Sequence, residues 1–228
     1  MNVQYQSGAL SSQLGFIIDA ILAAERVPIG RTMYESVFGI SVDELRLFLS
    51  ETLMQDSIGR PLSLGAFRVL TEGGEPIACC AAWVEPRDGM ASGTWTAMAL
   101  SRHIGMSRFR SRSGAVRTLA EVSPRRSPGI LQLESFFVRP EYRGRGLTRR
   151  LIDESLRADD TGNVRAEIGL LEENSSAMGA YSAAGFVECW RTRSSTDAFY
   201  SLTGSRGFVQ LSLTKREGCC APGAMSSL

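Results

Sequence analysis

The stretch FFVRPEYRGRGLTRRLIDESL, residues 136 to 156, constrains the fold more than any other part of the chain. An apolar run of strand formers stops at Pro140, which cannot continue a strand ladder. Arg143-Gly144-Arg145-Gly146 follows, and an amphipathic pattern begins at once. Two glycines at a strand-to-helix turn permit positive φ and let a ligand approach the backbone. The new helix offers N–H groups without internal partners, and its dipole is positive at that end, so the turn is an anion site in waiting. The spacing is not G-x-G-x-x-G, and no Gly-Lys-Ser/Thr follows, so neither a dinucleotide fingerprint nor a P-loop is present. An Arg-Gly loop that only turns the chain is the plainer alternative.

The neighbouring segments alternate in kind. ILQLESFFV reads as a strand, Gly146 to Arg157 as a helix, RAEIGLL as a strand, NSSAMGAYSAAG as a helix and FVECWR as a strand; GFVQLSLTK is the last strand. Such alternation implies neighbouring strands joined by helical crossovers. Upstream, Val3 to Ser7 suits a first strand. Ser11 or Ser12 can cap a helix with Leu14, Ile17, Ile18, Ile21 and Leu22 on one face, ended by Pro28 and Gly30. SVDELRLFLSETLMQ is a second helix, with Ser41 and Glu44 at capping-box spacing. FRVLTEGGEPIACCAAWVE is a hairpin turning at Gly73-Gly74. Residues 89–129 form an Arg-rich insertion, helical around Thr94 to Ile104 and Ala115 to Glu121, which ends in the loop SPRRSPG.

Two motifs together resemble the GNAT superfamily of acyl-CoA-dependent N-acyltransferases. Arg143 to Thr148 is similar to the family's Gln/Arg-x-x-Gly-x-Gly/Ala motif, departing from it at Thr148. Asn174, Ala177, Tyr181, Gly185 and Phe186 match Asn-x-x-Ala-x-x-x-Tyr-x-x-x-Gly-Phe, beginning 28 residues after Gly146 and beyond one more strand. The resemblance runs weakly from Gly65 to Lys215 and firmly from Leu131 to Phe186. It implies an α/β fold, a mixed and mostly antiparallel sheet of about six or seven strands flanked by helices. The strands before and after the glycine turn would splay to admit pantetheine. It also implies one domain over residues 1–217, and small polar residues suggest a disordered tail over 218–228.

The implied activity is N-acetyl transfer from acetyl-CoA to a primary amine, by direct attack in a ternary complex. Phe136, Phe137 and Val138 would hold pantetheine through their backbone. The amides of Arg143, Gly144, Arg145, Gly146, Leu147 and Thr148 would hold the pyrophosphate, and Asn174 would contact the cofactor through its side-chain amide. Tyr181 matches the family's general acid, since a phenol near pKa 10 suits a departing thiolate; otherwise it is a packed tyrosine. Glu134 is the candidate base, a carboxylate in an apolar run that needs a partner or a purpose. On a strand of period 2 it should share a face with Phe136 and Val138. The alternative is a Glu134 salt-bridged to an insertion arginine.

Charge leaves the acceptor open. Net charge is +1, but residues 89–130 hold seven arginines and one acid, while residues 1–57 hold seven acids and three arginines. The arginines suit an acidic acceptor or acyl chain, contacts to the adenosine 3′-phosphate, or plain solvation; the N-terminal acids suit a cationic amine. A small-molecule amine is the expected acceptor. A protein amine and a silent acyl-CoA sensor are the rivals, and a homodimer stays open. Nucleic acid is disfavoured because only Phe109 interleaves the arginines. His103, the sole histidine, reads as a surface or substrate-contact residue, and Trp83, Trp95 and Trp190 as core or wall residues. The five cysteines, two adjacent pairs and Cys189, lack metal-ligand spacing, so no zinc is expected. Met1 to Gln4 lacks a basic leader start, and Leu14 to Ala24 is too short to span a bilayer. No membrane association and a reduced, cytoplasmic location are therefore expected.

Overall fold

The computed structural model describes residues 3–55, 60–159 and 165–214. The proposed tail and Cys219-Cys220 lie outside the described residues. Among the described residues seven strands form one sheet: β1 (Val3–Ser7), β2 (Phe67–Glu72), β3 (Glu75–Val84), β4 (Leu131–Val138), β5 (Arg165–Leu171), β6 (Val187–Arg193) and β7 (Gly207–Thr214). Their spatial order is β1-β2-β3-β4-β5-β7-β6. Every pairing is antiparallel except β4–β5. The mixed, mostly antiparallel α/β sheet implied by the sequence is the one observed.

One face carries α1 (Leu14–Ala24), α2 (Met33–Phe38), α3 (Val42–Leu53) and the insertion helices α4 (Ser92–Ile104), α5 (Met106–Ser111) and α6 (Ser113–Val122). Ile17, Ile21, Phe48 and Leu49 meet Cys79, Ala81 and Trp83 there. The other face carries α7 (Leu147–Arg157) and α8 (Ser175–Ala183). Leu147 and Leu151 pack on Ala78 and Cys80, while Ile152, Leu156 and Tyr181 join Leu133, Ile168 and Val209. Fully burying each such aliphatic side chain is worth about 1.5–3 kcal/mol. The residues of β3 thus serve both cores alternately, which is why the run Ile77–Trp83 is apolar throughout.

Local chemistry explains most boundaries. Gly73 and Gly74 turn the β2–β3 hairpin at φ 61° and 88°. Ser41 Oγ accepts the Glu44 N–H at 3.2 Å and caps α3, but the Glu44 carboxylate does not complete the box. It accepts from Arg108 instead, at 2.6 Å. Neither Ser11 nor Ser12 caps α1. A 3-10 turn over Ser11–Gln13 leads into the helix, and buried Gln13 accepts the Leu10 N–H at 2.9 Å.

Three short helices add to the expected elements: α2, closed by reciprocal bonds between Thr32 and Glu35, α5, between the two helices expected in the insertion, and α9 (Asp197–Thr203), capped by Thr196. One of the two crossovers also differs from expectation. β4 and β5 are parallel neighbours joined through α7. The second crossover, through α8, places β6 one strand further out, and β7 fills the gap by pairing with both β5 and β6. As the edge strand, β6 leaves Trp190 exposed rather than in a core or wall.

Candidate active site

The site begins where two strands part. β4 and β5 pair only at Leu131–Ala166 and Gln132–Glu167. Beyond that point β4 follows β3 as far as Val138–Ala78, and β5 follows β7 as far as Leu171–Phe208. The β4 backbone past Gln132 therefore has no ladder partner on its β5 side, and a V-shaped opening results, the splay expected from the sequence.

A bulge lies in the arm of the V. Glu134 pairs with Ala81 and Phe137 with Cys79, so Ser135 and Phe136 together face the single residue between. Ser135 takes φ 52°, a left-handed conformation that costs a non-glycine residue on the order of 1 kcal/mol or more. The extra residue reverses the alternation. Glu134 does not share a face with Phe136 and Val138, as strict period 2 predicts; it shares one with Phe137. Phe137 meets Phe16 of α1 at 5.7 Å between ring centroids, while Phe136 turns to the α7–α8 side and lies 5.4 Å from Tyr181.

At the open end of the V, β4 runs through a 3-10 turn at Pro140–Tyr142 to the tip of α7. Gly144 and Gly146 stand at φ 75° and 72°, and space is open where either would carry a Cβ. Gly146 is the N-cap and no side chain caps the helix. The Arg150 N–H bonds Gly146 O at 3.1 Å, and the amides before it, of Leu147, Thr148 and Arg149, are those a helix start leaves without intrahelical acceptors. Arg143 Nε reaches back to Val138 O at 3.3 Å. Arg145 bonds Glu141 O at 3.2 Å and lies 4.8 Å over the Tyr142 ring. Both arginines thus brace the turn while keeping their charge beside it.

Across the V, Asn174 caps α8: its Oδ1 accepts the Ala177 N–H at 3.1 Å, which leaves its amide NH2 for another acceptor. One helical run later Tyr181 is buried between Phe136 and Phe186. Its hydroxyl has no hydrogen-bond partner among the described residues. Burial, and then the nearby Cys80 thiol, push its pKa well above the ordinary phenol value, so the O–H stays protonated.

A polar cluster closes the head of the V on the α1 side. Arg126, from the SPRRSPG loop, binds the Glu134 carboxylate through Nε and Nη2, the insertion-arginine partner that the sequence left as an alternative. Arg126 Nη1 also reaches Ser92 Oγ at 3.1 Å, and the guanidinium lies 5.2 Å over the Trp83 ring. Glu85 accepts from the Ser92 N–H and from Trp83 Nε1. Two further groups face the cluster: Glu25, at the end of α1, and Tyr34 of α2. Loss of water, and then the Glu134 charge, push the Glu25 pKa up to about 7, with Arg126 opposing. Burial raises Tyr34, helped by Glu25 and Glu134. Behind the loop, buried Glu167 accepts from the N–H and Oγ of Ser127, Gln132, Gln210 and Arg165.

Sequence reasoning brought Glu134 and Tyr181 to this site but missed Glu25, Tyr34, Arg126 and Glu167. No local pattern marks them; only Arg126 had a signal, its place in the arginine-rich stretch. The other insertion arginines divide by task. Arg108 clamps Glu44 and Gly39 O. Arg112 packs on Gly39 where a Cβ would sit. Arg102, Arg110, Arg117 and Arg125 face solvent. His103 binds Glu51 at 3.1 Å and packs 5.4 Å from the Phe48 ring, tying α4 to α3. Among the described residues no three metal-ligating side chains group together, and no helix is long and apolar enough to cross a membrane.

The sequence matches the model of the acetyltransferase (GNAT) family over residues 34–186. None of the curated proteins matches it. Among solved structures, an acetyltransferase is 15% identical, covering 93% of this chain and 98% of its own, with a TM-score of 0.52. A GNAT-family acetyltransferase from Streptococcus agalactiae is 10% identical, covering 94% and 96%, with a TM-score of 0.50. At such identities the likeness is one of fold.

Proposed function

The chain belongs to the acetyltransferase (GNAT) family, and from that premise we propose that it transfers an acetyl group from acetyl-CoA to the primary amine of a small molecule, by direct attack in a ternary complex. The observation that carries this reading is the parting of β4 from β5 after Gln132, which opens a slot leading from the uncapped tip of α7 to the Glu134 cluster.

Each part of the slot has a task in that reaction. The amides from Arg143 to Thr148 take the pyrophosphate, with Arg143 and Arg145 adding positive charge. Pantetheine runs along the free edge of Phe136, Phe137 and Val138 and bonds their backbone as a missing strand would. The free NH2 of Asn174 contacts the cofactor from the facing wall. Tyr181, kept neutral by burial, donates its proton to the CoA sulfur as the thiolate departs. At the head of the V the attacking nitrogen must shed a proton, and the carboxylates around Arg126, Glu134 among them, supply the acceptor. A small acceptor is favoured because α6 packs against both α2 and α9, walling that end.

Thiol release from acetyl-CoA in the presence of a panel of primary amines tests the proposal. Amine-dependent release with matching acetylated product supports it. Binding of acetyl-CoA without turnover makes the domain a sensor, and acetylation of peptides alone moves the acceptor to protein.

A further inference from the structure

We propose that Glu25 is a catalytic residue of this site: it receives an alkylamine as its ammonium ion and removes the proton before attack. The inference rests on the acetyl transfer proposed above and adds the charge state of the acceptor and the group that handles its proton.

The carboxylates near the head of the V differ in how they are engaged. Glu134 is held by Arg126. Glu85 accepts from Ser92 and Trp83. Glu167 is saturated by Ser127, Gln132, Gln210 and Arg165. The Glu25 carboxylate alone in this set has no hydrogen bond or ion pair among the described residues. Its backbone is fixed all the same. The Glu25 N–H bonds Ile21 O at 2.9 Å, and Glu25 O accepts the Met33 N–H at 2.8 Å, so the end of α1 is pinned to the start of α2. A free carboxylate on a rigid support, at the end of the helix that packs along β4, suits a group that must meet a mobile substrate.

The charged surroundings favour a cation. Glu134 of β4, Arg126 of the loop and Tyr34 of α2 face Glu25. Arg26 and Arg31, on its own turn, are exposed, and Glu35 is committed to the Thr32 N–H. Three carboxylates, Glu134, Glu85 and Glu25, thus surround one guanidinium, and an incoming ammonium offsets part of the excess negative charge. Its desolvation is offset by that charge. A carboxyl that titrates near neutrality also has the affinity for a proton that a general base at pH 7 needs.

The step balances. The ammonium gives one proton to Glu25. The freed nitrogen lone pair forms the N–C bond to the thioester carbonyl, and the C–S bond breaks with its electron pair on sulfur. Tyr181 protonates that sulfur. The second proton lost by nitrogen restores the Tyr181 hydroxyl through solvent, and Glu25 returns its own proton to water.

The test compares wild type with Glu25→Gln by thiol release from acetyl-CoA, using ethylamine and tyramine, which are ammonium ions at pH 7, and aniline, which is neutral there. For the alkylamines, Glu25→Gln should lower kcat/KM about a hundredfold and abolish the limb of the pH profile near 7. For aniline the rate should be nearly unchanged, a split that a merely structural role would not produce. Calorimetric binding of acetyl-CoA reports whether the variant is folded, and Glu25→Asp should recover part of the alkylamine rate. Equal losses for both amine types in a variant that binds acetyl-CoA as wild type does would overturn the role of Glu25, as would an unchanged alkylamine profile. No thiol release by wild type with any of the three amines would overturn the proposed transfer and this inference with it.

Discussion

Gln132 and Glu167 form the last rung of the β4–β5 ladder, and Gln132 Nε2 donates to Glu167 Oε2 at 3.0 Å. The same carboxylate holds Ser127, the residue after Arg126. One buried anion therefore closes the base of the V and anchors the loop that grips Glu134. Glu167→Ala removes the acceptor for several buried donors at once. It should lower stability by about 3 kcal/mol, seen as a lower urea midpoint with the slope unchanged.

Tyr181→Phe keeps the ring that packs on Phe136 and Phe186 and removes only the hydroxyl proposed as the proton donor. Turnover should fall by about a hundredfold. Acetyl-CoA affinity should stay the same, because the hydroxyl holds nothing in place. The check is kcat from thiol release beside the calorimetric Kd; an unchanged kcat would remove Tyr181 from the proton path.

Glu25 should also leave a mark on stability. Its pKa is about 7 in the folded protein against an ordinary 4.5, so the folded state binds the proton more tightly than the unfolded one. The sign follows from linkage: the contribution of Glu25 to stability falls as pH rises from 4.5 to 7 and is level above that. Glu25→Gln lacks the penalty. The variant should be more stable than wild type at pH 8, by about 1–3 kcal/mol, and the gap should narrow by pH 5. Denaturant titrations at the two pH values check this.

Much of this architecture was legible in the sequence because it rests on local chemistry. The Gly73-Gly74 hairpin, the Ser41 cap and the Pro140-to-Gly146 turn each declare themselves within a few residues. So do the two motifs that gave the family. The short helices α2, α5 and α9 were not legible, since one or two turns carry too little periodicity to stand out. The exchange of β6 and β7 was hidden because strand order follows from packing across the sheet. The bulge at Ser135 was hidden for a sharper reason: positive φ at a serine has no sequence signal, yet it reverses which face Glu134 occupies. Glu25 closes an amphipathic helix and looks like an ordinary solvated acid. Only the tertiary approach of β4, α2 and the Arg126 loop makes it unusual.

The central claim is that the α7 tip and the open edge of β4 hold coenzyme A. Calorimetric titration of the protein with CoA, set beside Gly146→Val, tests it most directly. Valine at φ 72° costs about 1–2 kcal/mol of backbone strain and fills space that is open in front of the helix amides. The account predicts saturable one-to-one binding by wild type, with affinity at least tenfold weaker in a variant that still unfolds cooperatively. Absence of binding at millimolar CoA, or equal binding by the two proteins, would contradict it.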